Sequence, residues 1–236
     1  MANSEHIVSS FDRDLEAIQA RIMRMGGLVE EAIAKSARAL DTQDIDLART
    51  VRAEDKAIDK LEEQVNEEAA RILVLRQPSA SDLRTVLSVF RISTNLERIG
   101  DYAKNIAKRS EAIMDHPPVE GASSSLRRMA RQVELMLKDA LDAYIQHDAA
   151  LAQDVRSRDV EVDQMYSALF REYLTFMLED PRNITPCMHL HFMAKNIERM
   201  GDHVTSISEQ VIYLVTGELP DDERPKEDRT PYELGA

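Results

Sequence analysis

A seven-residue motif that recurs 101 positions later constrains this chain more than any other feature. Asn95-Leu96-Glu97-Arg98-Ile99-Gly100-Asp101 returns as Asn196-Ile197-Glu198-Arg199-Met200-Gly201-Asp202. Upstream, Asp55-Lys56-Ala57-Ile58-Asp59 is matched by Asp159-Val160-Glu161-Val162-Asp163, 104 positions on. Pro78 and Pro181 lie 103 apart, so small deletions in the second copy account for the drift. A repeat of this period means one supersecondary unit used twice. The matched positions are mostly Asn, Glu, Arg, Gly and Asp. Packing alone would not select those residue types, so the duplication points to shared chemistry.

Helical periodicity runs from about Glu5 to Thr216. With 43% hydrophobic residues, 5% aromatics and no Trp, the composition suits amphipathic helices better than a β-sandwich. A first helix is expected from Glu5 to Leu40, with Ile18, Ile22, Met25, Val29, Ile33 and Leu40 on one stripe. Gly26-Gly27 inside it implies a kink or a close helix approach. Asp44 reads as the N-cap of a second helix reaching Arg76, and Ser79 as the cap of a third ending near Asp115. A fourth helix is expected over Leu126–Gln146 and a fifth up to Glu179. A sixth opens on Thr185-Pro186 as N-cap and N1 proline and ends near Gly217. The fold class is all-α: two tandem three-helix units over residues 1–116 and 126–217, joined by a linker at 117–125. A disordered acidic tail, 218–236, follows.

The formal charge of −13 disfavours phosphate backbones, so no nucleic acid is expected, and it invites cations. Cys187 is the only cysteine, which excludes an intrachain disulfide and a Cys-based zinc site. Met1 to Ile18 has no apolar core of a signal peptide, and no run approaches the ~18 apolar residues of a membrane span. The cytoplasm is the expected compartment.

Each motif places two acids four residues apart: Asp55 and Asp59, Glu97 and Asp101, Asp159 and Asp163, Glu198 and Asp202. That spacing puts both side chains on one helix face, where like charges repel unless compensated. Val155, Asp159, Val162, Tyr166, Leu169, Tyr173 and Phe176 follow a 4-3 rhythm, as do Val51, Asp55, Ile58, Glu62, Val65, Ala69 and Ile72. Asp159 and Asp55 therefore lie on apolar seams, where a carboxylate is costly unless paired or metal-bound. The midpoint between Ala57 and Ile99 falls on Pro78, and that between Glu161 and Met200 falls at Asp180-Pro181. An antiparallel hairpin about each turn brings four carboxylates level, one quartet per repeat. Such sets suit hard cations, Fe, Mn, Mg or Ca ahead of Zn. A salt-bridge network through Arg98 and Arg199 explains the same acids without metal. His203, whose counterpart is Tyr102, reads as structural. Lys104, Lys108 and Arg109, with Arg127, Arg128 and Arg131, read as solvated faces or as contacts for an acidic partner. No nucleophile–base pair or phosphate-binding glycine loop is visible, so no catalytic residue is assigned. A carboxylate-bridged metal-dependent enzyme, hydrolase or oxidase, stays open as the alternative function.

With two Glu-Arg-hydrophobic-Gly-Asp motifs and Asp-x-x-x-Asp on each preceding helix, the chain resembles the PhoU family over about residues 5 to 216. The resemblance implies pseudo-two-fold packing of two three-helix bundles and multinuclear metal clusters on the eight acids. It further implies a cytoplasmic, often dimeric negative regulator of phosphate uptake and phosphate-starvation signalling. Such a regulator acts between the ATPase of the phosphate ABC transporter and a phosphate-sensing histidine kinase, and reaches the inner membrane through those partners. Arg158 stands where the first copy has Glu54, a departure that implies two sites of unequal nuclearity or occupancy.

Overall fold

Apolar residues recur every three to four positions along nearly the whole chain, and each such run forms one long helix. In the computed structural model, which describes residues 2–76, 80–116, 118–119 and 121–220, these are α1 (Ala2–Thr42), α2 (Ile45–Arg76), α3 (Ala80–Ile113), α4 (Ala122–Gln146), α5 (Ala149–Glu179) and α6 (Ile184–Thr216). A 3-10 turn, Pro181–Asn183, leads into α6, and no strand occurs among the described residues. The Pro78 turn with Ser79, and the tail from residue 221 onward, lie outside them.

Local chemistry sets the boundaries. Leu47 N donates to Asp44 Oδ1 at 2.9 Å, the expected cap of α2. Asp148 caps α5 by accepting from Ala150 N and Leu151 N. At the end of α6, Gly217 adopts a left-handed φ of 86° and donates its N–H to Tyr213 O at 2.9 Å. Two expected starts are displaced. α4 begins at Ala122, inside the stretch read as linker, because the serines there form its first turn. Ser123 Oγ donates to Asp41 Oδ1 at 3.1 Å, and Ser124 Oγ donates back to Gly121 O at 2.8 Å. α6 begins at Ile184, one residue ahead of Thr185, because Asp180 caps the preceding 3-10 turn by accepting from Arg182 N at 2.9 Å.

Within each repeat all three helices touch one another. The repeats then meet through α1 against α4 and α3 against α6, each helix on its own counterpart, as a pseudo-two-fold relation requires. Ile18, Ile22, Met25, Val29, Ile33 and Leu40 of α1 are all buried, and one continuous core runs through both repeats. Motif residues also serve this interface. His203 Nδ1 lies 2.7 Å from Asn95 Oδ1, and its ring sits 5.6 Å from that of Tyr102, its own counterpart. His203 is thus a packing residue between repeats, and burial holds its pKa below the ordinary histidine value.

The adjacent glycines of α1 have separate reasons. Gly26 marks a close approach, with Leu141 of α4 where a side chain would stand, whereas Gly27 faces open space. An exposed helix-interior glycine costs about 1 kcal/mol relative to alanine. Gly27→Ala is therefore expected to stabilise the protein by roughly 0.5–1 kcal/mol, seen as a higher urea midpoint. Gly26→Ala, obstructed by Leu141, is expected to show no such gain.

Candidate metal-binding carboxylate sites

The seams of α2 and α5 carry acids into the interior. Along α5, Val155, Asp159, Val162, Tyr166, Leu169 and Tyr173 are all buried, and along α2 so are Val51, Asp55, Ile58, Val65, Ala69 and Ile72. Asp55 is 4% exposed and Asp159 only 1%. Facing them, Gly100 of α3 and Gly201 of α6 supply no side chain. A Cβ at Gly201 would lie 2.7 Å from Asp159 Oδ1 and 3.4 Å from Val162 Cγ1. One at Gly100 would lie 3.0 Å from Ile58 Cδ1 and 3.9 Å from Asp55 Oδ1. The two glycines, conformationally ordinary here, are required by this close approach.

The first quartet gathers across α2 and α3. Lys104 Nζ bridges them, 2.5 Å from Asp55 Oδ2 and 3.3 Å from Asp101 Oδ1. Desolvation, then Asp55 and Asp101, push the Asp59 carboxyl up, against the pull of Lys104. Glu97 is raised to about 7, first by desolvation and then by Asp101, with which it shares a hydrogen bond. The second quartet gathers across α5 and α6 and is more enclosed: Asp163 is 2% exposed and Glu198 6%, while Asp202 is half-buried. Lys195 Nζ lies 2.9 Å from Glu198 Oε2. Burial raises the Glu198 pKa, opposed by Lys195 and reinforced by Asp202 and Asp163.

The motif arginines compensate the acids only in part, Arg98 pairing with Glu97 and pulling its pKa down against the neighbouring acids. Arg98 stays exposed with its Nε 3.6 Å from Glu97 Oε2, and Arg199 is exposed too. Lysines one turn away compensate as well, at unrelated positions: the counterpart of Lys104 is Thr205, and that of Lys195 is Thr94. Glu62 adds a fifth acid beside Glu97 and accepts from Asn66 Nδ2 at 2.8 Å and Thr94 Oγ1 at 3.4 Å. Its counterpart is Tyr166, whose ring lies 4.9 Å from Lys195 Nζ. The seam rhythm placed Glu62 on the right face, but only helix packing shows that it meets Glu97.

Glu54 and Arg158 each form an ion pair with the first helix of their repeat. Glu54 Oε2 pairs with Lys35 Nζ of α1 at 2.7 Å, and Arg158 NH2 pairs with Asp139 Oδ2 of α4 at 2.6 Å. Lys35 and Asp139 are counterparts, so the same ion pair is present with its charges reversed, directed at the first helix of each repeat.

Among the described residues, no three His, Cys, Asp or Glu side chains converge on one point at coordinating distance. Two features still fit a hard cation at each quartet. The donors are all carboxylate oxygens, and a glycine opens the space that a Cβ would fill beside the deepest one. Asp55, Asp59, Glu97 and Asp101 would hold it in the first repeat, and Asp159, Asp163, Glu198 and Asp202 in the second.

The duplicated three-helix unit coincides with two matches to the PhoU domain, over residues 22–110 and 126–211. The chain belongs to the PhoU family. It is 46% identical over 225 residues, 95% of each chain, to a "Phosphate-specific transport system accessory protein PhoU homolog" of Rhizobium meliloti. To the homolog of the same description in Caulobacter vibrioides it is 44% identical, over 95% of this chain and 98% of that one. The crystal structure of PhoU from Pseudomonas aeruginosa superposes with a TM-score of 0.85 at 39% identity, over 88% of this chain and all of that one. That of the phosphate transport system regulatory protein PhoU from Streptococcus pneumoniae gives 0.82 at 31% identity, over 89% and 99%.

The raised Glu97 pKa has a consequence for stability. The folded chain holds this proton up to about pH 7, the unfolded chain only to about 4.5, so the folded state binds the extra proton between those values. Stability of the cation-free protein is therefore expected to rise as pH falls from above 7 toward about 5. Glu97→Gln should flatten that rise, as measured by urea unfolding in chelator across the range.

Proposed function

We propose that this chain is an accessory regulator of phosphate transport whose two carboxylate quartets bind metal ions. The observation that carries the metal reading is the glycine-opened space beside Asp159 and Asp55, at the deepest acid of each quartet. The regulatory reading rests on 46% identity over 95% of a protein described as a phosphate transport accessory. No helix among the described residues is long and apolar enough to cross a membrane.

A cation at either quartet neutralises like charges gathered across a helix pair, and ties two helices together. In the first repeat it joins α2 to α3 through Asp55, Asp59, Glu97 and Asp101. In the second it joins α5 to α6 through Asp159, Asp163, Glu198 and Asp202. The two sites differ in what surrounds them: Glu62 adds negative charge to the first, and Lys195 with Tyr166 adds positive charge to the second. The first therefore holds a cation more tightly or in greater number. Multinuclear clusters are consistent with five acids in one place. The bound state fixes the surface offered to partners, which in this reading are the ATPase of the phosphate ABC transporter and a phosphate-sensing histidine kinase. The chain works between them as a cytoplasmic homodimeric adaptor and negative regulator, not as an enzyme.

Elemental analysis of protein purified without chelator tests the metal reading. The wild type is expected to carry Fe, Mn, Mg or Zn at a stoichiometry lost when all eight acids are replaced by Asn or Gln. Equal metal content in the two proteins sinks it. Removing the gene from its host should switch on a phosphate-starvation reporter under phosphate-replete growth, and complementation should restore repression. Repression that persists without the gene refutes the regulatory reading.

A further inference from the structure

Two turns beyond Asp101 along α3, the character of the surface reverses. Asn105, Lys108, Arg109 and Ala112 of α3 and His189 of α6 line a cavity of about 260 Å³. No carboxylate is among its lining residues. Neither Lys108 nor Arg109 has an acid within ion-pair distance among the described residues, in a chain with 43 acidic and 30 basic side chains.

The groups are held in place before anything binds. The Arg109 guanidinium lies over the Phe192 ring, 4.4 Å from its centroid, which restricts a side chain that also lines the cavity. His189 Nδ1 is buried with no hydrogen-bond partner. Burial, then the nearby charges of Arg109 and His116, hold its pKa below the usual histidine value, which marks a local positive field within an acidic protein. The buried ring nitrogen lacks a partner, while Lys108 is exposed and Arg109 half-buried, so both cations are within reach of an incoming acceptor.

The number of donors selects the ligand. Lysine offers three N–H groups, the arginine fork up to five, the Asn105 amide two and the imidazole one. A carboxylate, with two oxygens, satisfies only some of them, whereas a tetrahedral oxyanion presents acceptors in every direction. We propose that the Lys108–Arg109–His189 cavity is a binding site for a phosphate group, supplied either as free inorganic phosphate or as the headgroup of an acidic phospholipid. The site does not depend on metal at the carboxylate quartets.

Isothermal titration of the full chain in chelator, which excludes phosphate held through cations, tests the site with inorganic phosphate as the probe. A second arm measures co-sedimentation with vesicles of phosphatidylcholine and phosphatidic acid in equal parts, against phosphatidylcholine alone. Saturable binding of inorganic phosphate, with the dissociation constant raised roughly tenfold or more in Lys108→Gln/Arg109→Gln, supports the site with free phosphate as its ligand. Selective sedimentation with phosphatidic acid vesicles, lost in the same variant and without binding of free phosphate, supports it with the lipid as source. His189→Gln is expected to weaken whichever binding is found, while Arg128→Gln, on α4, leaves it unchanged. Circular dichroism confirms that each variant is folded. Phosphate heats no larger than those of acetate at equal ionic strength, with no selective sedimentation, overturn the proposal, as does binding equal in wild type and double variant.

Discussion

Carboxylates on the helix stripe that must also form the core are the constraint around which the rest of this structure is organised. Asp55 and Asp159 occupy seam positions between buried valines and isoleucines, where an uncompensated charge costs several kcal/mol. Three local features follow from that demand. The opposing helix presents glycine, so the acid is accommodated without separating the helices. A second acid sits one turn away on each helix, so each hairpin becomes a four-acid face. A lysine from the partnering helix or from a neighbouring turn supplies the opposite charge. The apolar remainder of each stripe anchors the pair in one continuous core.

The frame is symmetric, and what it carries is not. α1 meets α4 and α3 meets α6, while the Tyr102 and His203 rings, themselves counterparts, meet near the pseudo-two-fold axis. Yet in the first quartet only Asp55 is fully buried, with Glu62 added, whereas in the second all but Asp202 are buried, beside Tyr166 and Lys195. Positions away from the seam drift freely under one condition, that charge still balances. The Lys35–Glu54 pair and its reversed counterpart, Asp139–Arg158, show the rule. Partly exposed ion pairs contribute little either way, so reversing one costs little as long as both partners change.

The cavity between α3 and α6 arises from the same packing. The two helices meet at Asn95 and His203 and again where Arg109 stacks on Phe192, and beside that second contact Lys108, Arg109 and His189 line a cavity. Glu97 and Asp101 of the first quartet and most of the cationic cavity thus share α3, Asp101 lying within about two turns, or roughly 10 Å, of Lys108. Opposite charges at that spacing influence each other across less than about one and a half Debye lengths at physiological salt.

Much of this was legible in residue order. The 101-residue echo of Asn-x-Glu-Arg-x-Gly-Asp and the helical rhythm determined an all-α duplication. The seam spacing picked out Asp55 and Asp159, and the midpoints at Pro78 and Asp180-Pro181 brought the acids level, because periodicity and chain geometry are local properties. Tertiary structure decided what depends on distant residues. It made the serines after Gly121 a helix turn, since Asp41 of α1 meets them there. It placed Lys104 against Asp55 and Asp101, and Lys195 against Glu198, compensating charges that the repeated motif does not contain. It also assigned Arg158 to an ion pair with α4. The pattern along a helix says which face an acid occupies, but only the packing of other helices against that face decides which charge it meets.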